Sequence, residues 1–238
     1  MVLSSVPGRR KNVPAAEAET IVLGIDEAGR GSVLGPLVVG GFLLPKSALP
    51  TLTELGVRDS KLLTPSRREE LFTAIAKVGH RERVILPPTT IDAYVRRGGL
   101  NELEARAFGQ IVRRTSPTRV FVDACDPNAA RFGLRVAHWG RVDPTCVVSR
   151  HKADRDLPLV GAASIVAKVH RDRAIARLAR TLGSDIGSGY PSDPVTREYV
   201  RTALLRPGEP KPWLRHSWAT TEILKPKLSP RTLESFPP

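Results

Sequence analysis

The sequence predicts an α/β fold, with a central mixed sheet flanked by helices. Three observations predict it. Short runs rich in Val, Ile and Leu alternate with stretches of helical periodicity. The first two runs, within 20–45, are joined only by Asp-Glu-Ala-Gly-Arg-Gly, which makes them a hairpin-like antiparallel pair. Two of the runs stop abruptly at carboxylates, Asp26-Glu27 and Asp123.

The elements follow in order. Ile21 to Ile25 forms the first strand and Val33 to Leu44 the second, with Pro36 near its start. Thr64 is a natural N-cap and Pro65 a natural first helical residue, so 65–77 is a helix with Leu71, Phe72 and Ile75 on its apolar face. Val84 to Leu86 is a short strand ended by Pro87-Pro88. Thr90 opens a helix toward Val95, and Asn101 opens another through Glu104, Ala107 and Ile111. Arg119 to Asp123 and Cys146 to Ser149 are strands. Pro158 begins a long helix to about Leu182. Its first half, Val160 to Ala167, is apolar and small-sided and packs close to a sheet, whereas His170-Arg-Asp-Arg173 faces solvent. A turn-rich segment, Gly187 to Pro194, precedes a helix over 195–205. Residues 1–18 read as a flexible leader, 19–222 as the folded unit with a helical C-terminal part from about 184, and 223–238 as a flexible basic, proline-rich tail.

Composition narrows the function. Of 238 residues, 41% are hydrophobic, enough for a sizeable core. Lys and Arg total 37 against 24 for Asp and Glu, a net charge of +13, which favours a polyanionic partner. A generally arginine-rich source would give the same excess. No apolar run reaches 18 residues, and Arg9-Arg10-Lys11 is followed by no apolar signal segment, so neither a membrane span nor secretion is expected. Cys125 and Cys146 form no disulfide framework and no zinc spacing, and a reducing cytoplasm is the simplest location.

Four carboxylates share one placement. Asp26, Glu27 and Asp123 close buried strands, and Asp154 lies four residues past another. That edge of an α/β sheet is where ligands bind. Carboxylates gathered there repel one another unless a cation neutralises them. An oxygen-only donor set selects Mg²⁺ or Mn²⁺ over zinc. A pair of such ions clamps the attacking and leaving oxygens of a phosphodiester displacement. Each Asp alone could equally cap a turn; the adjacent pair at a strand end is harder to explain that way. Gly29-Arg30-Gly31 is either a tight turn or a place where backbone N–H groups meet a ligand. Tyr190, in a glycine/proline loop, is either turn packing or a stacking platform. Lys61, Lys168 and Arg171 are either solvated cations or phosphate contacts.

Taken together the motifs resemble ribonuclease HII, the type 2 branch of ribonuclease H. The resemblance rests on Gly24-Ile-Asp-Glu-Ala-Gly-Arg-Gly31, Arg58-Asp-Ser-Lys61, Val122-Asp-Ala124 and His151-Lys-Ala-Asp154. It continues through Ala162-Ala-Ser-Ile165, Gly187-Ser-Gly-Tyr-Pro-Ser-Asp-Pro194 and Ser217-Trp218, and spans roughly residues 20–220. His151-Lys-Ala-Asp154, and Asn101 with Glu104, are closer to the archaeal and eukaryotic style. The resemblance implies an RNase H-like fold and an active site of Asp26, Glu27, Asp123 and Asp154 holding Mg²⁺ or Mn²⁺. It implies that Gly29, Arg30, Gly31 and Tyr190 recognise the 2′-hydroxyl at an RNA–DNA junction. The implied substrates are RNA–DNA hybrids and duplex DNA with embedded ribonucleotides, cut to 3′-hydroxyl and 5′-phosphate ends, as in ribonucleotide removal. It implies a monomer.

Ser32, where Pro is frequent, and Gly161, where Ser or Glu is usual, depart from the pattern without touching a catalytic position. The tail shows no clamp-binding peptide, so a sliding-clamp partner is not expected, and the short leader leaves no room for an added N-terminal substrate-binding domain. Two other readings compete. Another two-metal nuclease of the same fold, such as a junction resolvase, would need no reader of the 2′-hydroxyl. A non-catalytic basic nucleic-acid-binding protein would explain the charge but not the strand-end carboxylates.

Overall fold

Along β1 (Ile21–Ala28), Val22, Gly24 and Asp26 alternate with Leu23, Ile25 and Glu27, so one strand sends side chains to both faces of a sheet. This computed structural model describes residues 19–57, 63–206, 208 and 210–225. Arg58-Asp-Ser-Lys61, and with it the phosphate contact expected of Lys61, lies outside them, as do the expected leader and residues 226–238 of the expected tail.

β1 pairs antiparallel with β2 (Leu37–Pro45), which pairs antiparallel with β3 (His80–Leu86). On its other side β1 pairs parallel with β4 (Arg119–Asp123), and β4 parallel with β5 (Val147–Arg150). The order is β3-β2-β1-β4-β5, the mixed sheet expected from the opening hairpin. β1, β3, β4 and β5 all point the same way, so Asp26-Glu27 and Asp123 reach the same edge.

One face is covered by α1 (Leu49–Glu54), α2 (Pro65–Ile75) and part of a long helix described below. The other carries α3 (Pro88–Val95), α4 (Leu100–Thr115) and α5 (Ala129–Gly140). Thr64 caps α2 by accepting from the Arg67 N–H at 3.2 Å, as its sequence signature predicts. Helix α5 was not anticipated. Its buried Phe132, Val136 and Ala137 pack on β5 and α4, and its Asn128 cap accepts from the Arg131 N–H at 2.9 Å. A parallel β4–β5 pair needs a crossover of this kind. Phe108 and Phe132 meet edge to face at 5.2 Å, worth about 0.5–1.5 kcal/mol beyond their burial.

After the short α6 (Ala153–Asp156) comes α7 (Pro158–Leu182), the long helix on the first face. Its small residues let it lie directly on β1 and β2. A Cβ on Gly24 would fall 2.5 Å from the Leu159 carbonyl oxygen, and one on Gly40 would fall 2.4 Å from that of Ala163. Glycine at both strand positions therefore fixes the helix-to-sheet distance, and with it the depth of the helix beside Asp26.

Beyond α7, α8 (Pro194–Leu204) and α9 (Ala219–Leu224) enclose a third apolar cluster with Val33, Leu34, Ile175 and Leu214. The intervening chain returns to the end of β1. Leu214 bridges to Leu34, and the Arg215 N–H donates to the Val33 carbonyl at 2.9 Å. No helix among the described residues is long and apolar enough to cross a membrane.

Candidate active site

Asp26 projects toward α7 and Glu27 toward α4, because neighbours on a strand face opposite ways. The four carboxylates expected together therefore divide. Oxygens of Asp26, Asp123 and Asp154 lie within 4.8 Å of one another. Glu27 instead groups with Glu104 of α4 and Cys125, again within 4.8 Å, while remaining electrostatically coupled to Asp26 and Asp123.

Two members of the aspartate cluster are buried. Asp26 is 4% exposed and Asp154 2%. Asp26 accepts from the Glu27 N–H at 2.8 Å, and Asp123 accepts from the Ala153 N–H at 3.0 Å. Burial pushes the Asp26 carboxyl up to about 6; the Ser164 hydroxyl opposes that shift, and the charges of Asp123 and Asp154 add to it. Lys168, expected as a phosphate contact, donates to Ser164 Oγ at 3.0 Å and is held beside this cluster by that hydroxyl.

The second group is compensated differently. Glu104 is fully buried, and Arg30 Nε lies 2.9 Å from its Oε1. Arg30 Nη2 also donates to Asn101 Oδ1 at 2.7 Å, so the middle residue of Gly29-Arg30-Gly31 points back into the protein. Burial drives Glu27 well above the usual carboxylate range, and the charges of Asp26, Glu104 and Asp123 drive it further. Glu27 Oε2 is buried without a hydrogen-bond partner. Burial likewise raises the Cys125 thiol far above its ordinary value, with Glu27 and Glu104 adding to the effect. An all-oxygen set of carboxylates kept this close, with an orphaned oxygen beside it, fits a hard divalent cation.

The glycine turn is built from behind. Gly29 has φ of +87°, a left-handed conformation suited to glycine. Gly31 is exposed, and a Cβ there would meet nothing within 4 Å. Arg215 is fully buried and donates to the carbonyls of Gly29 at 2.7 Å, Arg30 at 2.8 Å and Gly35 at 3.2 Å. Asp92, also buried, fixes the segment after Arg215 by accepting from the His216 and Ser217 N–H groups, each at 2.9 Å. Tyr190 is half-buried, and its loop joins the turn where the Val33 N–H donates to the Gly189 carbonyl at 2.8 Å.

Arg171 departs from expectation. It is 4% exposed, with its guanidinium turned onto Ser32, Ser188 and the Tyr190 ring, and so does not present a phosphate-binding head to solvent. The register of α7 explains this: position 171 follows the buried 160–169 stretch on the sheet-facing side, while Arg173 emerges. Glu104 is not among the site residues expected from the sequence. A legible signal existed, since a charge stood on the apolar stripe completed by Phe108 and Ile111. Arg215 carried none in a chain so rich in arginine.

Comparison with known proteins agrees with this geometry. The family model for ribonuclease HII matches residues 23–221. Ribonuclease HII of Methanocella arvoryzae is 40% identical over 211 residues, covering 88% of this chain and 94% of that protein. Ribonuclease H2 from Pyrococcus horikoshii superposes with a TM-score of 0.79 at 37% identity, over 87% of this chain and 97% of that one. The RNase HII of Archaeoglobus fulgidus, solved in complex with PCNA, gives 0.78 at 39% identity, over 90% and 100%. The strand-end carboxylates, the glycine turn and these matches across nearly all of the folded chain place it in the ribonuclease HII family of divalent-metal-dependent endonucleases, and make it a ribonuclease H.

Proposed function

We propose that the protein cleaves RNA in RNA–DNA hybrids and nicks on the 5′ side of single ribonucleotides in duplex DNA, leaving 3′-hydroxyl and 5′-phosphate ends. The observation that carries this reading is the junction of two loops at the carboxylate edge. The turn that follows Asp26 and Glu27 is hydrogen-bonded, through Val33, to the residue before Tyr190.

Asp26, Asp123 and Asp154, with Glu27, would hold Mg²⁺ or Mn²⁺, consistent with their spacing, burial and mutual repulsion. When bound, divalent cations supply charge stabilisation and activate water at neutral pH in a phosphodiester hydrolysis. The chain's own residues do the rest. Ser164 and the Glu27 N–H orient Asp26, and the Ala153 N–H orients Asp123. The exposed backbone of Gly31, with the polar groups of Gly29 and Arg30, offers hydrogen bonds to a 2′-hydroxyl, the one group that separates ribose from deoxyribose. Arg30 contributes through its backbone, since its side chain is taken up by Glu104 and Asn101. Tyr190 stacks on the following deoxyribose. Lys168, next to the carboxylates, and Lys61 would approach phosphate. Residues 19–222 would form the catalytic part, acting as a monomer.

The test is a DNA duplex with one embedded ribonucleotide, incubated with Mg²⁺ or Mn²⁺. A single nick on its 5′ side is expected. Folded protein that binds this duplex and leaves it intact would overturn the reading.

A further inference from the structure

We propose that Arg171 is a positioning residue that sets the Tyr190 ring relative to the Gly29–Gly31 turn, and thereby determines how strongly the enzyme prefers a ribonucleotide–deoxyribonucleotide junction. The inference rests on the preceding assignment of that turn and Tyr190 to junction recognition.

One side chain touches both halves of the reader. Arg171 Nη2 donates to Ser32 Oγ at 2.7 Å, immediately past the glycine turn, and to the Ser188 carbonyl, two residues before Tyr190. Its guanidinium carbon lies 4.4 Å from the centroid of the Tyr190 ring. Its stem fills the space beside Gly29, where a Cβ would come within 3.3 Å of Arg171 Cγ. Two backbone bonds also join turn and loop, from the Val33 and Leu34 N–H groups to the Gly189 carbonyl at 2.8 and 3.2 Å.

A buried cation is an expensive way to fill space. The Arg171 ion pair is with Asp172, at 3.2 Å, whose side chain is 43% exposed. Its Nε is buried without a hydrogen-bond partner. An apolar side chain would fill the same volume at lower cost, so packing alone does not account for an arginine. A planar guanidinium, however, can bond a hydroxyl and a carbonyl in its plane while an aromatic ring stacks on its face. That combination fixes the tilt of the ring as well as its distance. Tyr190 is only half-buried, so part of its ring lacks protein neighbours and the guanidinium face is a distinct contact on the rest.

The test compares cleavage of a duplex bearing one ribonucleotide with cleavage of a uniform RNA–DNA hybrid. The proteins are wild type, R171M, S32A, Y190A and the double variant R171M/Y190A. The junction-to-hybrid rate ratio should fall about tenfold or more in R171M, as expected when a positioned group drifts, and about threefold in S32A, which removes one bond. In the Y190A background, R171M should lower the ratio no further, because it acts through that ring. An unchanged ratio in folded R171M, or an effect that simply adds to that of Y190A, overturns the proposal. If R171M does not fold, S32A decides it, and an unchanged ratio there is likewise fatal. If Y190A itself leaves the ratio unchanged, the reader assignment fails and this inference with it. If Y190A lowers the ratio while R171M and S32A do not, the reader stands and only the role of Arg171 falls.

Discussion

Arg215 Nη2 donates to the Gly29 carbonyl at 2.7 Å, which anchors the glycine turn on a fully buried guanidinium from the opposite end of the chain. Two more carbonyls, of Arg30 and Gly35, accept from the same group. Burial lowers the pKa of this side chain to about 10, with the Arg171 charge adding to the effect, yet it stays cationic at neutral pH. Arg215→Ala would leave three backbone acceptors and a large void. The loss should be about 3–5 kcal/mol, within the range for breaking a buried polar network. In a chain of this size that lowers Tm by roughly 6–20 °C, measurable by calorimetry. A change below about 2 °C would mean that the turn holds its shape without Arg215.

The aspartate cluster predicts an unusual pH dependence for metal-free protein. Asp26 titrates near 6 when folded and at the ordinary carboxylate value when unfolded. The folded state therefore binds the proton more tightly, so acid favours folding at this site. Stability contributed by Asp26 is highest below about pH 4, falls as pH rises toward 6, and is fully lost above that. The span is on the order of 2–3 kcal/mol. A divalent cation competes with that proton and relieves the same repulsion. Its stabilisation of the protein should therefore grow as pH rises through about 6. Chelated and Mg²⁺-loaded samples melted between pH 5 and 8 would show the gap widening; a constant gap would remove Asp26 from the cation site.

Much of this site was legible because strand ends are. An apolar run that stops at a carboxylate states both where the strand finishes and which edge carries the charge, so the sequence alone puts Asp26, Glu27 and Asp123 at strand ends. The parity of the strand is equally available in the sequence. Adjacent residues on β1 point to opposite faces, which sends Glu27 toward Glu104. Helix α5 carries local signals as well, an Asn128 cap and apolar Phe132, Val136 and Ala137 on one face, which the sequence reading passed over. It becomes necessary once β4 and β5 are known to run parallel. Arg171 and Arg215 were illegible for a simpler reason. Arginine is ordinarily a surface residue, and only the fold reveals which two of many are enclosed.

Removing one carboxylate should separate folding from chemistry. Asp26→Asn and Asp123→Asn each delete a negative charge from a repelling cluster, so metal-free stability should hold or rise. Cleavage should fall about a thousandfold or more, since several kcal/mol of charge stabilisation is lost. Duplex binding should change little, because basic surface rather than this acidic edge attracts phosphate. Gel-shift and cleavage assays on one preparation distinguish the two effects. Cleavage at the wild-type rate would take the substituted residue out of the metal site.

The two glycines of the turn should fail for different reasons. Gly29 has φ of +87°, and a Cβ there would lie 2.8 Å from the Pro36 carbonyl oxygen. Gly29→Ala should therefore cost about 1–3 kcal/mol of stability through backbone strain and damage cleavage through misfolding of the turn. Gly31 is different: its φ is outside the left-handed range and a Cβ would meet nothing within 4 Å. Gly31→Ala should melt within about 0.5 kcal/mol of wild type, as exposed substitutions usually do. If the turn reads the 2′-hydroxyl as proposed, a methyl group there should nonetheless slow nicking at an embedded ribonucleotide by about a hundredfold. A variant that is both fully stable and fully active would show that no substrate backbone comes close to Gly31, and the turn would then be a structural corner and nothing more.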